Sequence, residues 1–276
     1  MGRPSGWTHQ FMMMRVSALF LIVLTGVSIL VPWLSGVDPN YVPLAQQLEP
    51  LPPRWSHWLY WFGTDDLGRG LLIRIVYGAR LSLVIGVVSA LLSTSIGSLV
   101  GGIAGYFGGW VDKTLMRFVE FMMAIPTLFL ILIIQTIYTP TIVTVMIVIG
   151  VTSWMGVARL VRSEVLSIKQ RPFVLAARAR GISGVRLLFR HIMPHALPPI
   201  VVAATLDVGG AILIESALSF LGLGVQPPHA SWGNMLHNSL AYLLDAPWMA
   251  LIPGAFITAT VVAINNVGDR LRYRSE

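Results

Sequence analysis

The sequence predicts an all-α fold, a polytopic membrane protein with six transmembrane helices and a helical loop on the cytoplasmic side. Three observations predict it. First, 55% of the 276 residues are hydrophobic and only 11% are charged, with a mean hydropathy of +0.74. An ordinary soluble domain carries charge on about a quarter of its residues. Second, the charges cluster. Segments 16–37, 81–111, 121–158, 191–206, 216–244 and 246–268 contain no Asp, Glu, Lys or Arg, and about 20 apolar residues suffice to cross the hydrocarbon layer. Third, the basic residues collect on one side. With the amino terminus inside, only Arg54, Arg69, Arg74 and Arg80 of the 19 Lys and Arg fall outside, as the positive-inside rule requires. The absence of Cys excludes a disulfide scaffold and any thiolate metal site. The 26 Gly and 17 Pro show no triplet period, so a collagen-like chain is excluded.

The elements follow in order. Residues 1–15 form a cytoplasmic segment, and 16–34 form the first span. The apolar run after Arg15 is longer than the usual core of a signal peptide, and no small-x-small site follows it, so a retained helix is expected. The loop 35–80 is rich in Pro and aromatics, among them Trp55, Trp58, Tyr60, Trp61 and Phe62. Two readings stand for it, an interfacial aromatic belt and a docking surface. Leu67, Leu71, Leu72, Ile75 and Val76 fall on one side of 67–80, which predicts a short amphipathic surface helix. The second span, 81–104, is rich in small residues. Gly97, Gly101 and Gly105 recur every four positions, a pattern that lets helix backbones approach within a bundle and also permits dimerisation. The charge-free stretch 121–158 holds the ends of two spans, 118–138 and 142–160, with a turn at Thr139-Pro140-Thr141. The last spans are 197–221 and 249–268, separated by an outer loop at 222–248. A cytoplasmic tail at 270–276 ends the chain.

The inside loop 161–196 is too long for a turn and too basic for a span. Pro172 suits the first position of a helix, Phe173, Ala176, Ala177 and Arg180 follow at helical spacing, and Gly181 suits a stop. After Gly184, Val185, Leu188 and Phe189 share one face and Arg186 and Arg190 another. The expectation is two short amphipathic helices separated by Gly181-Ile182-Ser183-Gly184. Such helices either lie on the membrane or fill a groove on a soluble partner.

These residues resemble a known family. Phe173-Val174-Leu175-Ala176-Ala177-Arg178-Ala179-Arg180-Gly181, followed by Arg190-His191-Ile192-Met193-Pro194, is similar to the cytoplasmic coupling signature of permease subunits in the dipeptide, oligopeptide and nickel group of ATP-driven bacterial importers. Leu175 stands where a Glu is usual. Gly63-Thr64-Asp65-Asp66-Leu67-Gly68-Arg69 resembles the family's outer motif, with Gly70 in place of the usual Asp. Ala104 to Asp112, Ser219 to Gly224, Pro227-Pro228, Ser231-Trp232-Gly233-Asn234-Met235 and Asn266-Val267-Gly268-Asp269 are further matches, so the resemblance covers about 60–276.

The resemblance implies a multi-pass protein of the bacterial cytoplasmic membrane with both termini inside. It implies pairing with a second homologous permease, docking of two ATPase subunits, and delivery of small peptides, or nickel, by an extracytoplasmic binding protein. Phe173, Ala176, Ala177, Arg178, Gly181, Val185, Arg186 and Leu188 are the expected ATPase-coupling residues. Gly63, Asp65, Gly68, Arg69, Trp232 and Gly233 mark the outer face. ATP and Mg would sit on the partner ATPases. The chain has no GxxxxGK[ST] loop, so no cofactor and no catalytic residue are expected here.

Three acids fall at or near membrane depth, where a charge is costly and faces protein or water. Glu120 lies three residues from Arg117, which suits a local ion pair. Asp207 and Glu215, eight apart on one helix, have two readings: lining a pore, or packing against the chain or a second permease. His191 and His195 have helical spacing but no third ligand, so no metal site is expected there. His229 and His237 lie in the outer loop. No basic patch stands free of a span, so no nucleic acid is expected as a partner. Two other classes compete, an ion-coupled secondary transporter, which calls for paired inverted repeats, and a membrane scaffold without a conduction path.

Overall fold

The computed structural model describes residues 6–42, 49–182 and 184–275, with side chains for 12–42, 49–182 and 184–272. Arg3, Ser183 and the Arg274 side chain lie outside the described residues. In chain order the helices are α1 (Gly6–Ser35), α2 (Leu71–Phe107), α3 (Gly109–Met123), α4 (Thr127–Ile137), α5 (Ile142–Ile168), α6 (Pro172–Ala179), α7 (Gly184–Leu187), α8 (Met193–Phe220), α9 (Trp232–Ser239) and α10 (Trp248–Ser275). Among the described residues no sheet forms; Thr64 and Gly70 make an isolated bridge. Helices α1, α2, α5, α8 and α10 are long and apolar enough to cross a membrane, and α3 with α4 adds a sixth crossing only as a bent pair.

The short surface helix expected at 67–80, entering the second span, is continuous with that span in α2, but its first turns are interior rather than at a surface. Helix α2 starts at Leu71 and runs unbroken through 37 residues, about 56 Å against about 30 Å of hydrocarbon. Its first turns are covered by protein: Leu71, Ile73, Ile75 and Val76 are buried. Leu71 and Ile75 share a cluster with Trp232 and Met235. No Pro interrupts 71–107, so the backbone ladder continues unbroken until Gly108, whose φ of +66° ends it.

The segment expected as a span at 118–138 is bent. Helices α3 and α4 meet at 80° across Ala124-Ile125-Pro126. Pro126 has no N–H to donate and disfavours a helical conformation at Ile125. The turn at 139–141 leads into α5, capped by Thr141: Thr144 N donates to Thr141 Oγ1 at 3.1 Å, and Thr141 N donates to Thr144 Oγ1 at 2.7 Å.

The largest helix interface is α2 against α5. A Cβ on Gly97 would meet Trp154 O at 2.7 Å, one on Gly105 would meet Arg162 O at 2.8 Å, and one on Gly101 would collide with Ala158 O. Gly150 mirrors them from α5, where a Cβ would lie 3.0 Å from Ser89 O. The four-residue glycine repeat is therefore used within the chain, to bring two backbones together.

Helix α7 passes through a π-helical turn at Leu188–Ile192 straight into α8, so Gly184–Phe220 is one rod. Pro194, at the junction, cannot donate to a carbonyl one turn back, and the wider turn accommodates that gap. The chain has two distinct ends. At one, Trp248 Nε1 at the start of α10 donates to Thr64 O of the 49–70 loop, and Trp232 Nε1 of α9 donates to Ile75 O of α2. At the other, Arg162 pairs with Asp112 and Lys169 Nζ donates to Tyr106 O at 2.7 Å. Helix α1 lies against α10, where Asn266 Nδ2 donates to Ser17 Oγ.

Candidate functional site

The knob between α5 and α8 is built on a buried apolar seam. Val157, Val161, Val165 and Ile168 of α5 meet Val174 and Ala177 of α6, Leu187, Leu188 and Ile192 of the following turns, and Ala196 and Ile200 of α8. Helix α6 starts at Pro172 with Arg171 as its cap residue. It ends in a Schellman motif: Ile182 N donates to Ala177 O, and Gly181 N donates to Arg178 O, with Gly181 at φ +84°.

Of the expected coupling residues, Phe173, Ala176, Arg178, Gly181, Val185 and Arg186 are exposed on the knob. Ala177 and Leu188 are buried beneath it and hold it to α5. Helical spacing groups Leu188 with Val185 and Phe189, but α5 takes the side carrying Leu187, Leu188 and Ile192. Val185 and Phe189 stay outside, 60% and 48% exposed. Leu175 and Phe189 complete the exposed apolar surface, and the sequence reading did not single them out as contacts. The period of α6 carries the signal for Leu175: two positions from buried Ala177, it lies on the opposite side of the helix.

A Cβ on Gly181 meets nothing within 4 Å. Its backbone, not its size, makes glycine necessary. Gly181→Ala and Gly181→Leu should therefore weaken the α6 terminus alike, by about 1 kcal/mol. Amide hydrogen exchange across 172–182 in the two variants checks this, and a much larger effect of leucine would refute it.

The membrane-depth acids sit in different surroundings. Glu120 is exposed, with Arg117 3.6 Å away. Eight residues leave Asp207 and Glu215 about 80° apart around α8. Asp207 opens onto a cavity of about 140 Å³ between α2, α5 and α8, lined also by Ser89, Ser93, Ile149 and Ser153. Ser93 Oγ donates to Asp207 Oδ2 at 3.0 Å. Glu215 is completely buried. Ser219 Oγ donates to Glu215 Oε1 at 2.7 Å, and Ser82 Oγ donates to Oε2 at 3.3 Å. The network continues outward. Val225 N donates to Ser219 Oγ, Asn234 Nδ2 donates to Val225 O, and Asn234 N is capped by Ser231 Oγ. Glu215 thus ties α2 and α8 to α9, through serines that the sequence reading did not connect to it.

The 63–69 motif folds at the start of α2, where Leu71 N donates to Gly63 O. Asp65 Oδ1 accepts from Leu67 N and Arg69 N, and Asp65 Oδ2 accepts from Arg69 Nε at 2.6 Å, with Arg74 Nε 3.2 Å away. Gly63 and Gly68 take φ of +78° and +76°. Burial, then the neighbouring Asp65, pushes the Asp66 carboxyl pKa up against the pull of Arg69. Gly70 has a local reason: a Cβ there would lie 2.8 Å from Leu59 O. Trp232 is fully buried between α2 and α10, and a Cβ on Gly233 would meet Ser216 Cα at 2.7 Å.

The histidines do not gather. The His195 ring lies 4.6 Å from that of Phe173, and His237 Nδ1 lies 2.7 Å from Phe220 O. Among the described residues no three His, Asp or Glu side chains are placed to hold a metal ion.

Residues 97–276 match the family described as binding-protein-dependent transport system inner membrane component. The chain belongs to this family. The dipeptide transport system permease protein DppC of Alkalihalophilus pseudofirmus is 39% identical to this inner-membrane component over 97% of the chain and 88% of the relative. The oligopeptide transport system permease protein OppC of Bacillus subtilis is 38% identical over 93% of the chain and 83% of the relative. The inward-facing MetNI methionine ABC transporter shares the fold with a TM-score of 0.57 at 18% identity, covering 75% of this component and 98% of that chain. As a member of this family, the chain works in transport, within the membrane.

Proposed function

We propose that this inner-membrane component is one permease subunit of an ATP-driven importer that moves small peptides into a bacterial cell. Its partners are a second homologous permease, two ATPase subunits that bind ATP and Mg, and an extracytoplasmic binding protein. Both termini lie in the cytoplasm, in keeping with the basic residues at the knob and the chain ends. The cargo class rests on the dipeptide and oligopeptide permeases to which the chain is similar over nearly its whole length.

The observation that carries the mechanism is the two-sided knob. Val174, Ala177, Leu187, Leu188 and Ile192 fasten it to α5 and α8, while Phe173, Leu175, Val185 and Phe189 remain exposed, as do Arg178 and Arg186. Apolar side chains held outward on a rigid element fit a groove on a soluble partner. Because the rod from Gly184 continues into α8, a push on Val185 moves the helix that carries Asp207 and Glu215. This is rigid-body transmission between two pore states. Val185→Glu with Phe189→Glu places two charges in that contact without touching the buried seam. The variant should insert normally, lose co-purification with the ATPases, and import at under a tenth of the normal rate. Unchanged co-purification and uptake in reconstituted vesicles would remove the knob as the docking element.

A further inference from the structure

The seam between α2 and α5 opens at its outer end into a cavity of about 480 Å³, a size ordinary for small-molecule sites. Leu81 and Val84 of α2 face Ile142 and Met146 of α5 across an apolar floor. Arg80 and His229 stand on its walls, both exposed.

The walls are held by groups that need no occupant. Tyr77 Oη donates to Val37 O at 3.0 Å, and Arg74 Nη1 donates to Asn40 Oδ1 at 3.0 Å, so the segment after α1 is pinned to α2. On the opposite wall, Asn234 Nδ2 donates to His229 O at 2.7 Å. A pre-formed cavity avoids the ordering cost that binding otherwise carries.

Arg80 is the charge in this cavity that the fold does not use. Arg69 and Arg74 are committed to Asp65, and Arg162 to Asp112. Arg80 has no carboxylate partner among the described residues. It stands on a rigid helix one turn from Val84, so a guanidinium fork and an apolar floor lie side by side. That combination recognises an anion, such as a carboxylate, attached to an apolar body.

We propose that this outer cavity takes the free carboxylate end of the cargo peptide, with Arg80 gripping the carboxylate and the floor receiving the adjoining apolar side chain. The proposal rests on the peptide-importer reading and adds to it the chemistry of the first contact. An anionic lipid headgroup offers the same chemistry, so the test separates the two sources.

The complete transporter is reconstituted in vesicles of phosphatidylcholine alone, with radiolabelled Ala-Phe presented on the binding protein. A photoreactive benzoylphenylalanine at Val84 reports contact with the peptide. Crosslinking to Ala-Phe is expected in the otherwise unchanged transporter and is expected to vanish in Arg80→Gln, with uptake falling about tenfold. Arg80→Lys should restore part of both, and Arg54→Gln, an exposed outer arginine away from the cavity, should change neither. Undiminished crosslinking and uptake in Arg80→Gln would overturn the proposal. So would a defect that appears only when phosphatidylglycerol is added, which would assign the cavity to lipid. If the unsubstituted transporter moves no peptide, the peptide-importer reading itself fails, and the cavity assignment fails with it.

Discussion

Gly101→Leu is expected to abolish the fold of the membrane core. A side chain at this position collides with the backbone carbonyl of Ala158, and the Arg162 amide lies within 3.0 Å of the same point. Neither neighbour is a flexible side chain that can swing away, so helices α2 and α5 must separate. Separation would also open the close approaches at Gly97, Gly105 and Gly150, because one straight interface holds all four. Overpacking of this kind costs about 3 kcal/mol or more, a large share of the total stability of a protein. The purified yield in detergent should fall at least tenfold, with the remainder aggregating on size-exclusion chromatography. Gly156→Leu is the matched control, since a Cβ there meets nothing within 4 Å. Equal behaviour of the two variants would show that the seam does not hold the core.

The second large effect is expected at Glu215. Glu215→Leu keeps the volume but removes the acceptor for the hydroxyls of Ser82 and Ser219. Each buried polar group left without a partner costs about 1–3 kcal/mol. Ser219 also anchors Val225, so the disturbance should reach α9 and the outer loop. Glu215→Gln should behave very differently. Its amide oxygen can accept from Ser219 while its NH₂ donates to the Ser82 oxygen, so the network closes again. The leucine variant should lose about 10 °C or more of thermal stability in detergent together with most uptake, and the glutamine variant should keep most of both. If both variants lose uptake while both stay stable, the carboxylate acts directly on cargo and the packing role is wrong.

Much of this architecture was legible along the chain. The charge-free segments located the crossings because a lipid environment tolerates few alternatives to a long apolar helix. Pro172, Gly181 and Gly184 punctuated the knob where the structure has its breaks, since φ constraints act locally and do not depend on neighbours. Other features were not legible. Apolar length alone cannot distinguish a straight helix from one bent at Pro126, so α3 and α4 read as one span. The first turns of α2 looked amphipathic at a membrane surface, and only the arrival of Trp232 from 157 positions away made them interior.

The site residues divide in the same way. Helical spacing put Leu188 beside Val185, yet the packing of α5 decided which was buried. Asp207 and Glu215 looked equivalent on one helix, and their difference comes from what α2 brings to each: Ser93 beside an open cavity for one, Ser82 in a closed network for the other.

Composition and charge order by themselves determined that this chain is a bundle of apolar helices with a basic, helical knob on one side, because hydrophobic transfer and local backbone constraints are properties of short segments. Tertiary structure alone decided which glycines touch another backbone, and which acid is sealed and which faces a cavity. Those outcomes depend on distances between residues far apart in the chain, and no local pattern encodes them.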